Sequence, residues 1–354
     1  MDIKSVFIAT LCAFITVILV TPFVIQLAYL IGATDKPNSR KVHTKEMPRL
    51  GGLAIFLGVL VGYFVSGLYN EKLTAISLGA LVILFTGILD DKFEISPKLK
   101  LLGQLLAAFL IILSGLTITI LEIPFVGVFD VGLLSYPLTI LWIVGITNAI
   151  NLIDGLDGLA AGVSCIAIAT ISIMAFMGGK VLILTLSFII LASTIGFLFY
   201  NFNPAKIFMG DTGSLFLGYS ISVLSLLGLY KSVTLFSFVI PILILGVPIF
   251  DTLFAIIRRI VNKRPISSPD KGHIHHRLLS LGLSHRMTVI LIYCLSAVFS
   301  VCALIFSSTT IWGALFITFV LLFFLELFAE AIGLAGKNYK PMLKLYKKIL
   351  KKDL

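Results

Sequence analysis

Residues 158–200 read GLAAGVSCIAIATISIMAFM, then GGK, then VLILTLSFIILASTIGFLFY. The two apolar runs are each about 20 residues long, which is the length that an α-helix needs to cross the hydrocarbon core of a bilayer. Lys180 is the single charged residue in this stretch. We therefore interpret residues 158–177 and 181–200 as two membrane-spanning helices joined by a short loop.

The rest of the chain repeats this pattern. Of its 354 residues, 59% are hydrophobic and only 12% are charged, and the mean hydropathy is +1.11. A soluble chain would carry about 25% charged residues. We therefore expect an all-α, polytopic integral membrane protein with 11 transmembrane helices. The predicted spans are 5–31, 50–69, 74–89, 99–121, 133–150, 158–177, 181–200, 213–230, 234–257, 287–307 and 310–332.

The distribution of Lys and Arg between the loops predicts the orientation. With the N-terminus outside, 23 of the 27 basic residues lie in inside segments, and only Lys4, Lys72, Lys180 and Lys231 lie outside. Cytoplasmic loops of membrane proteins carry such an excess of positive charge. We therefore expect the N-terminus outside and the C-terminus in the cytoplasm.

No linker, low-complexity stretch or repeat of about 20–50 residues divides the chain. Residues 1–354 are therefore expected to form a single transmembrane domain. The tail, residues 337–354, is basic and amphipathic, with apolar residues on one face and lysines on the other. This pattern favours a helix lying on anionic membrane lipid. The alternative is a solvated tail that only sets the topology.

Two adjacent carboxylates, those of Asp90 and Asp91, follow an apolar span. Like charges this close need a cation or a proton nearby. Acidic groups at a helix C-terminus also oppose the helix dipole, so a plain helix end explains the pair poorly. Lys98 and Lys100 lie just downstream. We expect the pair to share a metal-bound phosphate and such cations.

Amides and carboxylates recur every three residues at Asn148, Asn151, Asp154 and Asp157. Two glycines interrupt the run, so the helix is expected to break or loop here. The oxygens of such side chains are the ligands that Mg²⁺ prefers, and an asparagine can also recognise a base edge. A polar contact between membrane helices is the alternative.

Asp211 lies between Gly210 and Gly213, at the start of another apolar span. The glycines suggest a close approach of the backbone to a ligand, and a helix N-terminus favours a phosphate. We expect Asp211 to be a metal ligand. Thr212 and Ser214 are better explained as caps of the helix.

His273, His275, His276 and Arg277 cluster in the most basic predicted loop. Zinc binding is the rival interpretation of these histidines. No cysteine or HExxH motif accompanies them, however, and the carboxylates elsewhere favour Mg²⁺. We expect the imidazoles and the guanidinium to hold a diphosphate.

Three further positions stay open. Asp251, seven residues before Arg258, either supports the site through other side chains or pairs with a basic residue. His43 belongs to a basic loop that could contact phosphate or lipid, or could only set the topology. Lys98 could act beside Lys100 or be an ordinary surface lysine.

The sequence contains no GxxxxGK[ST], GxSxG or HExxH motif, which argues against a P-loop ATPase, a serine hydrolase of the elbow type and a zincin. An ion-coupled secondary transporter is the alternative from another class. Transporter sites lie near the bilayer midplane, whereas the acidic residues here are predicted at the cytoplasmic ends of helices.

In their order along the chain, these clusters resemble those of the polyprenyl-phosphate N-acetylhexosamine-1-phosphate transferase family. The matching stretches are 89–91 with 96–104, 148–159, 204–218 and 273–278. The His-x-His-His-Arg-Leu form and an eleventh helix favour the bacterial branch that starts teichoic acid, enterobacterial common antigen or O-antigen synthesis. The resemblance implies an enzyme of the bacterial plasma (inner) membrane whose active site faces the cytoplasm.

The resemblance also implies a reaction. GlcNAc-1-phosphate would pass from UDP-GlcNAc to undecaprenyl phosphate, giving undecaprenyl-diphospho-GlcNAc and UMP, with Mg²⁺ or, in its place, Mn²⁺. Another UDP-N-acetylhexosamine is the alternative donor. The family is often dimeric, so a homodimer is expected by resemblance alone. We expect no nucleic-acid partner.

Finally, the resemblance implies a role for each matching residue. These roles are metal binding by Asn151 and Asp211; catalysis by Asp90, Asp91, Asp154 and Asp157; and binding of phosphate or nucleotide by Asn148, Lys100, His273, His275, His276 and Arg277.

Overall fold

The computed structural model describes residues 3–36, 46–68, 71–123, 127–229, 239–263, 265, 270, 272–333 and 342. Its α-helices are α1 Ile3–Ile31, α2 Gly51–Ser66, α3 Glu71–Phe93, α4 Pro97–Leu113, α5 Ser135–Ile153, α6 Leu159–Met177, α7 Val181–Asn201, α8 Gly210–Leu229, α9 Val239–Ile244, α10 Gly246–Val261, α11 Ile274–Ser280, α12 His285–Ser308 and α13 Ile311–Ile332. His43 and the tail 337–354, apart from Met342, lie outside the described residues.

Every predicted span contains helix, so the prediction of an all-α membrane protein is confirmed. Among the described residues, seven helices are long and apolar enough to cross a membrane. They are α1 from Lys4, α3 from Leu73, α5 with the turn before it, α6, α7, α12 and α13. The number of eleven spans and the orientation stay predictions. The span predicted at 234–257 contains two helices, α9 and α10.

Two short antiparallel strand pairs were not predicted from the sequence. β1 (Thr34–Asp35) pairs with β2 (Met47–Pro48), and Thr34 lies opposite Pro48. β3 (Ile120–Ile123) pairs with β4 (Gly127–Asp130) in the segment that separates α4 from α5. Such short hairpins carry little hydrophobic periodicity, so the pattern of apolar residues does not reveal them.

The chain divides into two compact units, Met1–Pro241 and Ile242–Leu354. The single domain expected from the sequence stays a prediction. In the second unit, α12 packs against α10, α11 and α13. Gly246 at the start of α10 lets the Phe299 ring approach closely, since a Cβ there would lie 2.4 Å from Phe299 Cδ1.

In the first unit, three helices meet backbone to backbone near the first turn of α8. A Cβ on Gly52 in α2 would lie 2.0 Å from the amide nitrogen of Gly213, and one on Gly87 in α3 would lie 2.4 Å from Thr212 Cα. Small residues allow such close approach between membrane helices. This contact places the ends of α2, α3 and α8 around one point.

The segment before α8 is also tied to the segment before α2 by backbone hydrogen bonds. The amide of Phe208 donates to Pro48 O at 2.8 Å, and the amide of Gly52 donates to Met209 O at 3.0 Å. Arg49 lies between the two bonded positions of the first segment. The pairing therefore carries Arg49 to the N-terminus of α8.

Candidate active site

A tight connection between α3 and α4 brings a lysine to the end of α3. The chain turns at Glu94, which has a φ of +48°. Ser96 and Pro97 then begin α4 as its N-cap and first residue, positions that favour these residue types. Lys100 on the first turn places its Nζ 3.0 Å from Asp90 Oδ2. The connection thus pairs two residues that are ten positions apart.

Lys100 also reaches the start of α8. Its ammonium forms a short ion pair with Asp211 Oδ2 as well as contacting Asp90. Asp90 and Asp211 are 121 residues apart in the chain, yet they share one cation. The structure therefore brings together an expected catalytic residue, an expected metal ligand and an expected phosphate-binding lysine.

Asp91 is fully buried and caps α8 from the neighbouring helix. Its Oδ1 accepts a hydrogen bond from the amide of Asp211 at 2.8 Å, and its Oδ2 accepts from the amide and the hydroxyl of Thr212 at 2.9 and 2.6 Å. A carboxylate satisfies the unpaired amides of a first turn and is favoured by the helix dipole. The expectation that Thr212 caps α8 was wrong, because its hydroxyl donates to the real cap, Asp91.

The glycines around Asp211 make room for protein atoms. Gly210 has a φ of +68°, and a Cβ there would lie 2.1 Å from the carbonyl oxygen of Arg49 and 2.4 Å from Asp91 Oδ2. A Cβ on Gly213 would lie 2.2 Å from Met209 Cγ. These glycines allow close approach of protein atoms, and the predicted approach of the backbone to a ligand stays a prediction.

Arg49 is a residue of the site that sequence reasoning missed. Its guanidinium lies 3.5 Å from Asp91, 3.7 Å from Asp211 and 3.9 Å from Asp35, with 21% of the side chain exposed. Burial alone would lower the pKa of Arg49, but the charges of Asp91 and Asp211 raise it above the ordinary value. The only signal in the sequence was an arginine directly before the apolar span that begins at Leu50, where a topological role explained it equally well.

Replacing Arg49 with glutamine is expected to lower the midpoint of thermal unfolding in EDTA by several degrees, because buried carboxylates lose a cation. Saturating Mg²⁺ should restore most of the loss, since a bound cation can neutralise the same oxygens. Thermal unfolding with and without Mg²⁺ measures this. Lys92→Gln, at an exposed lysine near the end of α3, is the control. An Arg49→Gln protein as stable as the parent in EDTA would contradict the prediction.

Asn151 and Asp154 lie beside the same helix start. Asn151 Nδ2 donates to Ser214 Oγ at 2.8 Å, so its carbonyl oxygen is close to the first turn that carries Asp211. Asp154 is the residue at which α5 ends. Burial, followed by the charge of Asp211, raises the pKa of Asp154 to about 8, and Arg49 partly opposes this. A bound cation would favour the ionised form of this carboxyl.

Two other expected site residues make contacts within the protein. Asn148 exchanges hydrogen bonds with the buried amide of Gln104, at 2.7 and 3.2 Å. Asp157 Oδ2 accepts from Asn203 Nδ2 at 2.9 Å and from the amide of Ala205 at 3.1 Å. These bonds connect α4 to α5 and hold the loop after α7. The expected roles of Asn148 and Asp157 toward a nucleotide stay predictions.

We call Asp90, Asp91, Asp154 and Asp211 the acidic cluster. Of the described residues, Arg49 and Lys100 are the cations that contact it. Four carboxyl groups therefore face two cations. No three His, Cys, Asp or Glu side chains among the described residues are arranged to hold a metal as they stand. The Lys100 ammonium occupies the position between Asp90 and Asp211.

The donor chemistry of this site fits a hard divalent cation. Its atoms are carboxylate and amide oxygens, without a cysteine or a histidine, and Mg²⁺ prefers such ligands. The ammonium between Asp90 and Asp211 shows that these two oxygens can share one positive charge. Asp211, Asn151 and Asp90 are the residues that could hold the ion.

In the second unit, the histidine cluster surrounds the start of α11. The rings of His273 and His275 are stacked with centroids 6.0 Å apart, and those of His275 and His276 are 4.2 Å apart. Asp251 Oδ2 lies 2.7 Å from His273 Nδ1, a contact that is compatible with both alternatives left open for this aspartate. Whether this cluster joins the acidic cluster in one site stays a prediction.

Burial changes what His275 can do. The residue is only 3% exposed, and burial, followed by the neighbouring histidines, lowers the pKa of His275 to about 3. Burial therefore favours the neutral ring, and the expected role of His275 toward phosphate stays a prediction. Among the described residues, its Nδ1 and the Nε of Arg277 are buried without a hydrogen-bond partner. A bound ligand could supply both partners.

The acidic cluster lies at helix ends. Asp90 and Asp91 are in the last turn of α3, Asp154 follows α5, and Asp211 is the second residue of α8. A transporter site would lie near the middle of the spanning helices. This placement argues against the transporter interpretation.

Comparison with known proteins identifies relatives of this chain. The model of glycosyl transferase family 4 matches residues 73–229. A probable undecaprenyl-phosphate N-acetylglucosaminyl 1-phosphate transferase of Bacillus subtilis (strain 168) is 60% identical over 348 residues, which cover 98% of this chain and 97% of the relative. A decaprenyl-phosphate N-acetylglucosaminephosphotransferase of Mycobacterium leprae (strain TN) is 37% identical over 298 residues, 75% of each protein. An undecaprenyl-phosphate alpha-N-acetylglucosaminyl 1-phosphate transferase of Escherichia coli (strain K12) is 29% identical over 277 residues, 76% of this chain and 75% of the relative.

Proposed function

The chain belongs to glycosyl transferase family 4, and we propose that it transfers GlcNAc-1-phosphate from UDP-GlcNAc to undecaprenyl phosphate. The products are undecaprenyl-diphospho-GlcNAc and UMP. The family resemblance seen in the sequence motifs is confirmed by these relatives. The names of the Bacillus subtilis and Escherichia coli proteins support the acceptor and the transferred group.

One structural observation supports the proposal. Asp90 at the end of α3 and Asp211 at the start of α8 share a single cation, the Lys100 ammonium. A transferase that joins two phosphates must gather negatively charged groups and neutralise them, and positioning with electrostatic stabilisation supplies most of the catalysis in such reactions. A cluster that contains both carboxylates and cations can gather the negatively charged groups and neutralise them.

Mg²⁺ is the proposed cofactor, with Asp211 and Asn151 as its main ligands. When bound, the ion would neutralise the negative charge that develops on the phosphates. Asp91 keeps Asp211 in place through the first amides of α8, so it acts on the site as a positioning residue. Arg49 and Lys100 are the protein's own positive charges for the phosphates of the two substrates.

In the proposed reaction, an oxygen of the lipid phosphate forms a bond to the β-phosphorus of UDP-GlcNAc. The bond from that phosphorus to the bridging oxygen breaks, and UMP leaves with this oxygen. A phosphate monoester loses its second proton near pH 6, so the attacking group is largely dianionic at neutral pH. Asp90, which faces Lys100, would position it. Trapping of a phosphorylated aspartate in a single turnover would contradict this direct transfer.

We propose that His273, His276 and Arg277 bind phosphate. His275, which is neutral, would serve as a hydrogen-bond partner. We also propose that the enzyme acts at the cytoplasmic face of the bacterial plasma membrane, where UDP-sugars are found, and that it begins a cell-envelope polymer of the teichoic acid or O-antigen type. The positive charge of the predicted inside loops supports this orientation.

The first test is UMP release by the purified full-length protein in detergent, with UDP-GlcNAc, undecaprenyl phosphate and Mg²⁺. We expect release that needs the lipid, falls to background in EDTA and returns when Mg²⁺ is added in excess. The same assay with a panel of UDP-sugars is the control for donor identity. Release with another UDP-N-acetylhexosamine alone would change the substrate, and release unaffected by EDTA would contradict the proposed metal.

A further inference from the structure

Asp251 lies on α10 and is 1% exposed. Its two carboxylate oxygens have different partners. Oδ2 lies 2.7 Å from Nδ1 of His273, and Oδ1 accepts a hydrogen bond from the amide of Ile274 at 2.8 Å. One oxygen therefore holds an imidazole, and the other caps the first turn of α11.

A second anchor from α10 holds the same segment. Arg258 pairs with Asp270, and Asp270 Oδ1 accepts from the amide of Gly272 at 2.8 Å. The guanidinium of Arg258 packs on Gly272, where a Cβ would lie 2.3 Å from Arg258 Cζ. The backbone around His273 is thus located by α10 at two points, so the bond from Asp251 to the ring is not needed to hold the loop alone.

The bond between Asp251 and His273 has a chemical consequence. A carboxylate only accepts hydrogen bonds, so Nδ1 of the ring carries a proton whether the imidazole is neutral or charged. Nε2 is then the nitrogen left to meet a ligand, and the ring cannot rotate away from it without losing a buried bond. Carboxylates that hold a working histidine in this way set both its tautomer and its orientation.

We propose that Asp251 is a positioning residue for the transfer reaction: it fixes His273 so that, with the imidazole protonated on both nitrogens, Nε2–H donates a hydrogen bond to a phosphate oxygen of the sugar nucleotide. This inference rests on the proposed function. The competing explanation is that Asp251 only caps α11. Because the two oxygens serve the two purposes separately, a single substitution can distinguish them.

Asp251→Asn is that substitution. The backbone amide of Ile274 can only donate, so the remaining oxygen should stay with it and the capping bond should survive. The new NH₂ group then faces Nδ1 of His273, which must give up its proton. The neutral ring is expected to change to the tautomer protonated at Nε2. The doubly protonated ring is disfavoured because its Nδ1–H would face the NH₂ group, so the phosphate loses a cationic partner.

We expect Asp251→Asn to lower kcat/KM for UDP-GlcNAc by about 10–100-fold, the range usual for residues that orient a functional side chain. ¹⁵N NMR of histidine-labelled protein should show His273 change tautomer, with its signal assigned through His273→Gln. The double variant should be no less active than His273→Gln alone, since coupled residues are not additive. Asp270→Asn, which weakens the other anchor without touching the imidazole bond, should retain at least about half of the activity.

Two results would overturn the proposal. One is an Asp251→Asn protein with parental kcat/KM. The other is a loss of activity with an unchanged His273 tautomer and further loss in the double variant, which would leave Asp251 a helix cap only. If the parent protein releases no UMP, the proposed function fails, while the NMR experiment still shows whether Asp251 sets the tautomer of His273.

Discussion

Replacing Asp211 with asparagine is expected to lower the rate of UMP release by at least about 100-fold at saturating substrates, the scale seen when one preorganised electrostatic group is lost. Asp211 is the acid that contacts both Lys100 and Arg49, and it stands at the N-terminus of α8. The substitution keeps the shape of the side chain and its backbone bond to Asp91. It removes the negative charge on which the proposed metal binding depends.

Steady-state UMP release, measured over a range of Mg²⁺ concentrations, is the test for Asp211→Asn. We expect raised Mg²⁺ to recover part of the activity, because a weakened site can be filled by mass action. Asp130→Asn in β4 is the matched control, since its Oδ1 contacts the amide of Gly132 in the hairpin region. An Asp211→Asn enzyme within about threefold of the parent would exclude Asp211 as the main metal ligand.

Replacing Gly52 with alanine should have the largest effect on stability. The added Cβ would lie 2.0 Å from the amide nitrogen of Gly213 and 2.2 Å from its Cα. Both are backbone atoms, so α2 and α8 must move apart, and overpacking of this kind costs about 1–3 kcal/mol or more. The same shift would displace the hydrogen bond from Gly52 to Met209 O and move Arg49 away from Asp211.

The measurement is the temperature at which half of the detergent-solubilised protein survives as a monodisperse species, followed by UMP release of the survivors. We expect both to fall for Gly52→Ala. Gly145→Ala in α5 is the control, because a Cβ there meets nothing within 4 Å and alanine is favoured over glycine in a helix by about 0.5–1 kcal/mol. Equal stability of the two variants would show that the contact between α2 and α8 is not required.

The site residues that could be recognised from the sequence are those whose recognition requires no knowledge of the fold. Asp90, Asp91 and Asp211 are acidic groups at the ends of apolar helices, an expensive arrangement that needs no structure to be noticed. The helices themselves follow from long apolar runs. Arg49 was missed because a basic residue beside a span has an ordinary explanation in topology, and only the pairing of Phe208 with Pro48 carries it to Asp211.

Some functional assignments could not be made from sequence spacing. Asn148 and Asp157 belong to the same three-residue repeat as Asn151, yet they bond to Gln104 and to the loop after α7. Asp91 is adjacent to Asp90, but it caps α8 while Asp90 meets Lys100. Neighbouring side chains on a helix point about 100° apart, so their partners depend on which helices pack on either side.

By itself, the sequence determined that this protein is a helical membrane enzyme with acidic and histidine-rich clusters, and its motifs determined the family. Hydrophobic runs and the cost of charge in a bilayer are properties of composition and order alone. The tertiary structure decided which carboxylate caps a helix, which shares a cation and which holds a histidine. Those partners come from helices far apart in the chain, and backbone contact at Gly52, Gly87 and Gly213 brings three of those helices together.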